Sequence, residues 1–208
     1  NGIGMAANSC FIPKGLPGHD QSFKVTYDPA LAKKLIKSFK NESGIIDPKI
    51  KLTTTANYLS FCEYIQRELK LSGLKIDIEV IPAAALKEAK ANGKLEMFRA
   101  SWIADYPDAQ NYLSLFYSEN FTPFGPNYSF FNNKVFDDLY QQSFGTTDLK
   151  KRVKLYKKMD ALINFEIPVI PLFYDEVIRF TSKKVMGLGI NSINLLNLKS
   201  VKKKQINL

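Results

Sequence analysis

The stretch "LKIDIEVIPAAALKEAKANGKLEMFRASW" (residues 74–102) decides the fold class. Apolar and charged residues alternate up to Pro82, and this pattern predicts a strand with one apolar face. "AAALKEAKANG" is typical of a short helix, and "LEMFRASW" predicts the next strand. A strand, a helix and a second strand in this order favour a crossover connection and parallel strands.

The segment "YDPALAKKLIKSFKNESG" (residues 27–44) predicts a helix that precedes this unit. Asp28 is suited to the N-cap and Pro29 to the first helical position. Three apolar residues repeat every four positions and share one face: Leu31, Leu35 and Phe39. A glycine, Gly44, lies beyond the end of the helix.

The β-branched run "KIKLTTT" (residues 49–55) predicts a strand, and "NYLSFCEYIQRELKLSG" (57–73) predicts a helix. Helices and strands therefore alternate from residue 28 to residue 102. This alternation indicates an α/β fold with a mixed, mostly parallel sheet and helices on its faces.

The remaining segments extend the same domain. Helical patterns cover residues 133–144 and 148–166, and residues 167–182 predict one or two further strands. Residues 1–27 are rich in proline and glycine and form a loop-rich N-terminal segment, while residues 199–208 are a basic tail. With no internal repeat, the chain is interpreted as a single α/β domain.

The length and the amino-acid composition are those of a globular protein. The chain has 208 residues, of which 45% are hydrophobic and 24% charged, so a hydrophobic core is expected. No apolar run approaches the roughly 18–20 residues of a membrane-spanning helix, and no signal-peptide pattern opens the chain. Because the first residue is not Met, we interpret the sequence as a mature form or an excised piece of a longer chain.

The net charge is +9, and the basic residues gather in the helix at 148–166 and in the tail. A solvated helix face with a frayed end is the favoured interpretation, and a nucleic-acid-binding surface is the alternative. No nucleic-acid-binding motif strengthens that alternative. Cys10 and Cys62 form either one disulfide or two buried thiols.

The stretch "FRASWIADYPDAQNYLSLFYSEN" (residues 98–120) follows a strand, at the place where open α/β sheets bind ligands. Asp108 is favoured as the N-cap of a helix that begins near Ala109. Asp105 lies outside that helix, and a carboxylate among aromatic residues needs a cation or several donors. Its cation is either Arg99 or the ammonium group of a ligand.

Aromatic residues are concentrated in the same region. Half of the phenylalanine, tyrosine and tryptophan residues lie between Phe98 and Tyr140, many of them on a stretch rich in proline and glycine. Such residues either line a cleft or pack on one another in a compact loop. Both alternatives remain open at this stage.

Signs of catalysis are weak. The single histidine, His19, has no serine or cysteine nucleophile pattern nearby, and no nucleotide-binding motif occurs. Asp105 and Asp108 make only a weak acid/base or metal pair, because no histidine or further carboxylate accompanies them. We therefore expect a protein without enzymatic activity, cofactor or metal.

The segments "SWIADYPDAQNYLSLFYSEN", "GPNYSFFNNKVFDDL" and "IPVIPLFYDEVIRF" together resemble the C-terminal lobe of the oligopeptide- and dipeptide-binding proteins of ABC importers, solute-binding family 5. The likeness covers about residues 11–190. It implies a type II periplasmic-binding-protein lobe that is one half of a longer, two-lobed protein. Its order of motifs is fairly specific, although each motif alone is weak.

The resemblance also implies a ligand site. Trp102 and Asp105 match the family's W-x-x-D, in which the aspartate takes the α-ammonium group of a peptide. Arg99 matches an arginine that meets the peptide carboxylate in some members. Asn127 and Tyr128 match an element near the cleft.

The function that the resemblance implies is the capture of short peptides for an inner-membrane permease and its ATPase. The protein would be periplasmic or lipid-anchored at the bacterial cell envelope, and the chain itself a monomer. Relatives on the same scaffold bind nickel complexes, haem or sugars, and these solutes remain alternatives to a peptide.

Overall fold

The computed structural model describes residues 4–191 and 195–204. Strands lie at β1 (Met5–Ala6), β2 (Lys49–Thr54), β3 (Lys75–Val80), β4 (Met97–Phe98), β5 (Phe173–Tyr174), β6 (Val185–Met186) and β7 (Lys202–Lys203). Helices lie at α1 (Pro29–Ser43), α2 (Leu59–Leu71), α3 (Ala83–Ala91), α4 (Gln110–Leu113), α5 (Lys134–Gly145) and α6 (Leu149–Glu166). Short 3₁₀ turns occupy Ala56–Tyr58, Ser114–Phe116 and Ser118–Asn120.

The chain divides into two compact units. Unit 1 contains the described residues up to Val25, Trp102–Ser118, and the described residues from Phe131 onward. Unit 2 contains Thr26–Ser101 and Glu119–Phe130. Each unit is compact in itself, and the single α/β domain expected from the sequence stays a prediction.

Unit 2 is built on a three-stranded sheet of order β3-β2-β4, in which both pairings are parallel. Leu52 of β2 lies opposite Ile78 of β3 and Met97 of β4. Leu52, Ile76 and Cys62 of α2 form the buried core of this unit. The parallel sheet is confirmed, although β4 is shorter than the strand pattern from Leu95 to Trp102 predicts.

Helix α1 begins and ends as its sequence predicts. The Asp28 carboxylate accepts a hydrogen bond from the backbone N–H of Leu31 at 2.8 Å, and Pro29 opens the helix. Gly44 has a φ of 72°, the left-handed conformation in which glycine is favoured as a helix cap. The shared apolar face, however, is largely exposed, since none of Leu31, Leu35 and Phe39 is buried.

Unit 1 has the larger core. Eleven buried residues form it: Ile12, Leu16, Ala109, Leu113, Phe116, Tyr117, Phe136, Tyr140, Tyr156, Met159 and Ile163. They come from the N-terminal segment, from α4 with the turn after it, and from α5 and α6. Several of the aromatic residues that are concentrated between Phe98 and Tyr140 therefore belong to this hydrophobic core.

Four more of these aromatic residues lie in the loop at residues 119–130 of unit 2, namely Phe121, Phe124, Tyr128 and Phe130. The Phe121 and Phe130 rings pack with their centroids 5.5 Å apart, and a backbone bridge joins Phe121 to Asn127. Phe124, by contrast, is 96% exposed. Phe121 and Phe130 thus pack on each other, whereas Tyr128 of the same loop lies against Lys90 of α3, so the structure shows both kinds of packing that the sequence left open.

Two antiparallel pairings join distant segments of unit 1. Strand β1 pairs with β5, so the loop-rich N-terminal segment contains one short strand. Strand β6 pairs with β7, so the expectation of a frayed basic tail is wrong for Lys202 and Lys203, which are paired through their backbone. The remainder of the tail, residues 205–208, lies outside the described residues.

Both cysteines, Cys10 and Cys62, are buried free thiols. Of the two alternatives left open by the sequence, the structure therefore has the buried thiols. Within the described ranges, no helix combines the length and the apolar character needed to cross a membrane.

Candidate functional site

The turn from Trp102 to Asp108 carries the principal predicted ligand residues of unit 1. The indole N–H of Trp102 donates a hydrogen bond to Asn111 Oδ1 at 2.8 Å. Asn111 Nδ2 donates in turn to Asp105 Oδ2 at 3.4 Å. An indole nitrogen can only donate, so Trp102 fixes the orientation of the amide and directs its NH₂ group toward Asp105. The structure thus brings Trp102 and Asp105 together through Asn111.

The Asp105 carboxylate is exposed to solvent. Among the described residues it takes part in no ion pair, and its hydrogen bond from Asn111 is long. The sequence led us to expect a carboxylate enclosed by aromatic residues. Instead, the neighbouring Tyr106 is itself 43% exposed, so Asp105 is open to a group that arrives from outside.

Asp108 has a structural role that uses both of its oxygens. Oδ1 accepts from the backbone N–H of Gln110, the first residue of α4, at 2.9 Å, although the N-cap position itself is held by Ala109 and not by Asp108 as the sequence predicts. Oδ1 also accepts from the Tyr156 hydroxyl at 2.7 Å, and Oδ2 accepts from Arg152 Nη2 at 2.7 Å. With its oxygens engaged in this way, Asp108 is not arranged as a ligand or as the partner of a catalytic carboxylate pair.

Arg99 lies in unit 2, just beyond β4, and its backbone N–H donates to Thr53 O at 3.1 Å. Its guanidinium carbon lies 3.3 Å from the centroid of the Tyr58 ring, and Nη1 contacts Ser101 Oγ at 3.5 Å. This is a cation–π arrangement that leaves most of the guanidinium donors available.

Arg99 lines a cavity of about 280 Å³ in unit 2. The cavity lies where β2 and β4 end, next to α3 and the turn at Ala56–Tyr58. This is the edge of a parallel sheet where ligand sites are expected. Its charged side chains are all cations, namely Lys87, Lys90 and Arg99. The arrangement suits an anionic group.

Lys90 is a cavity residue that the sequence analysis missed. Its Nζ lies 5.1 Å from the centroid of the Tyr128 ring and 6.0 Å from that of Phe98. Burial lowers the pKa of Lys90 from its ordinary value, and the charges of Arg99 and Lys87 lower it further. Nothing in the local sequence distinguishes Lys90 from Lys87, the other lysine of α3, because the surroundings of Lys90 depend on the packing of the loop at 119–130.

The two remaining predicted residues have different surroundings. Tyr128 is half-buried beneath Lys90, in the part of unit 2 that carries the cation cavity. Asn127 is fully buried, and its backbone N–H donates to Asn120 O at 2.8 Å. Asn127 therefore holds the loop together, and its contact with a ligand stays a prediction.

A second cavity, of about 200 Å³, lies in unit 1 and is bordered by His19 and Tyr174. Cys10 Sγ lies 3.0 Å from His19 Nδ1, a contact that the sequence does not predict. Cys10 is only 1% exposed, and burial raises the pKa of its thiol above the ordinary value. Asp105 lines neither of these two cavities.

Three features agree with the family that the sequence resembles. They are the strand-helix-strand sheet unit, the exposed aspartate held by a tryptophan–asparagine pair, and the cationic cavity at the sheet edge. A model of the bacterial extracellular solute-binding proteins, family 5 (middle), matches residues 1–124. The chain belongs to this family.

Among similar proteins, the glutathione-binding protein GsiB of Escherichia coli K12 is 29% identical over 178 residues, which are 82% of this chain and 35% of GsiB. The periplasmic binding protein DppA of Helicobacter pylori, solved in complex with the peptide STSA, has a TM-score of 0.79 and 25% identity over 98% of this chain and 40% of its own.

HbpA2 of Haemophilus parasuis shares the fold with a TM-score of 0.82 at 21% identity, over 98% of this chain and 41% of HbpA2. The expected fold, a type II periplasmic-binding-protein lobe, is thereby confirmed. The chain spans about two fifths of the length of these relatives. Its family consists of extracellular solute-binding proteins.

Proposed function

We propose that this chain forms part of the substrate-binding component of an ABC importer and that its solute is a short peptide. Asp105 receives the α-ammonium group of the peptide, and Arg99 is assigned to a carboxylate. The protein performs no chemistry. It binds the solute and presents it to an inner-membrane permease and its ATPase, from the periplasm or from a lipid anchor on the envelope.

The observation that carries the proposal is the state of Asp105. Its carboxylate is exposed, forms no ion pair with any described residue, and is held by Asn111, whose orientation Trp102 fixes. A carboxylate that is positioned but not neutralised is suited to a charge-assisted hydrogen bond with an ammonium group. Support also comes from family membership and from the peptide complex of the Helicobacter pylori relative.

Relatives more than twice as long suggest that further sequence supplies the opposite wall of the binding cleft. Binding would then combine contacts from both walls with closure around the solute, as in hinged binding proteins. This proposal explains why Asp105 is exposed here. Binding by the 208-residue chain alone is expected to be weak, because contacts and the exclusion of water are incomplete.

The test is calorimetry on the full-length protein with a short peptide and with the same peptide acetylated at its N-terminus. Asp105→Asn should weaken binding of the free peptide more than tenfold, with folding intact, because the charge-assisted bond is lost. Acetylation should weaken binding to the wild type by a similar factor. In the variant, acetylation should add little, since both changes remove one interaction.

The matched control is Asp138→Asn. Asp138 is a half-exposed aspartate on α5 that pairs with Lys134 and lies outside the proposed site. Its replacement should leave both affinities unchanged. Unchanged peptide affinity in a folded Asp105→Asn variant would contradict the assignment.

A further inference from the structure

The cation cavity of unit 2 contains more positive charge than one carboxylate requires. Arg99 and Lys90 both line it, and neither forms an ion pair with any described residue. The third cation, Lys87, is exposed at the same cavity. No aspartate or glutamate lines the cavity.

Two aromatic rings lie close to the ammonium group of Lys90. Its Nζ lies 5.1 Å from the Tyr128 ring centroid and 6.0 Å from the Phe98 ring centroid. Cation–π contacts of this kind stabilise an ammonium group only partly and cannot replace a counter-ion. The lowered pKa of Lys90, caused first by burial and then by the charge of Arg99, agrees with a cation that lacks an anionic partner.

The two cations differ in the geometry they offer. Arg99 presents a planar fork that matches a carboxylate, whereas Lys90 presents a single point of charge on a flexible stem. A volume of about 280 Å³ is slightly below the roughly 300–1,000 Å³ of a complete small-molecule site. The cavity is therefore suited to one end of a ligand.

We propose that this cavity is a subsite for a ligand end that bears two carboxylates, with Arg99 taking one carboxylate and Lys90 the other. The corresponding ligand class is a peptide whose last residue is aspartate or glutamate. This inference rests on the proposed peptide-binding function and adds a specificity-determining residue to it.

The test compares the peptides Ala-Ala-Glu and Ala-Ala-Gln, which differ in one charge and hardly in shape. In calorimetry with the full-length wild type, Ala-Ala-Glu should bind at least fivefold more tightly. Lys90→Met keeps the stem that packs against the rings, and it should abolish this preference while Ala-Ala-Gln binds within twofold of wild type. Lys90→Arg, which keeps the charge, should retain the preference.

The matched control is Lys94→Met, which removes an exposed lysine that lies outside the cavity and should preserve the preference. Equal binding of the two peptides by the wild type would overturn the subsite while leaving the peptide function intact. A preference that survives in Lys90→Met would also overturn it. If neither peptide binds, the proposed function fails and the subsite fails with it.

Discussion

Asp160 on α6 is a carboxylate of unit 1 that is only 2% exposed and forms no ion pair with a described residue. Its Oδ1 accepts the backbone N–H groups of Phe11 at 2.9 Å and Ile12 at 3.1 Å, and its Oδ2 accepts from Asn164 at 3.1 Å. These bonds fix the N-terminal segment to α6. They favour the charged carboxylate, but burial outweighs them and raises the pKa of Asp160 to about 6.

This raised pKa makes the stability depend on pH. In the unfolded chain the pKa is about 3.9, so between about pH 4 and pH 6 the folded state binds the proton more tightly. The contribution of Asp160 to the free energy of unfolding is therefore full below pH 4 and is lost as the pH rises through about 6. We expect a loss of about 2–3 kcal/mol for wild type relative to Asp160→Asn.

Urea unfolding of wild type and Asp160→Asn at a series of pH values measures this difference. The asparagine oxygen can still accept both backbone N–H groups, but the NH₂ group that replaces Oδ2 loses the bond from Asn164 at every pH. The quantity that reports on titration is therefore the change with pH of the difference between the two proteins. A difference between the two proteins that stays constant from pH 4 to pH 7 would show that Asp160 does not titrate as expected.

The ligand residues show how far single positions could be predicted. Trp102 and Asp105 stand out in the sequence because a tryptophan and acids gather after a strand. Asn111, which joins them, did not stand out, since its role exists only once α4 turns its side chain back toward the Trp102–Asp108 turn. Lys90 was missed because the loop at 119–130 that carries Tyr128 is distant in sequence.

At the scale of elements, local patterns predicted most helices and the two long strands. Asp28, Pro29 and Gly44 set the limits of α1, and alternation set β3. Periodicity identifies residues that share a face, but not whether a partner covers that face, so the exposure of Leu35 was not predictable. The pairing of β1 with β5 joins residues about 168 positions apart, and local pattern contains no information on it.

Asp108 is the contact through which the Trp102–Asp108 turn is attached to α6. Asp108→Ala leaves the buried Tyr156 hydroxyl without its acceptor. It also removes the carboxylate that pairs with Arg152, which keeps only its bonds to the Tyr156 hydroxyl and loses its charge partner. We expect the free energy of unfolding to fall by about 2 kcal/mol, since an unsatisfied buried polar group costs about 1–3 kcal/mol. Urea denaturation gives the value.

The control for this prediction is Asp138→Ala on α5, which removes an exposed pair with Lys134. An exposed pair of this kind contributes about 0–1 kcal/mol, so the control should be close to wild type. Equal losses in the two variants would mean that Asp108 does not anchor the turn.

At the scale of the whole molecule, the division into two compact units could not be predicted from sequence patterns. The alternation of helices and strands predicted the α/β class, but it contains no information on where one unit ends and the next begins. Trp102–Ser118 and Glu119–Phe130, for example, are contiguous in sequence yet belong to different units. The net charge of +9 did not distinguish a solute-binding protein from a nucleic-acid-binding protein either. Membership of the solute-binding family, not composition, is what favours a transported solute over a nucleic acid.

The central claim is that Asp105 captures a peptide by its free amino group. Native mass spectrometry of the full-length protein, purified without denaturant, tests it most directly. We predict that the wild type retains an added mass equal to one or several short peptides and that Asp105→Asn loses most of it. A retained solute that lacks an amino group, or a peptide held equally well by Asp105→Asn, would contradict the claim.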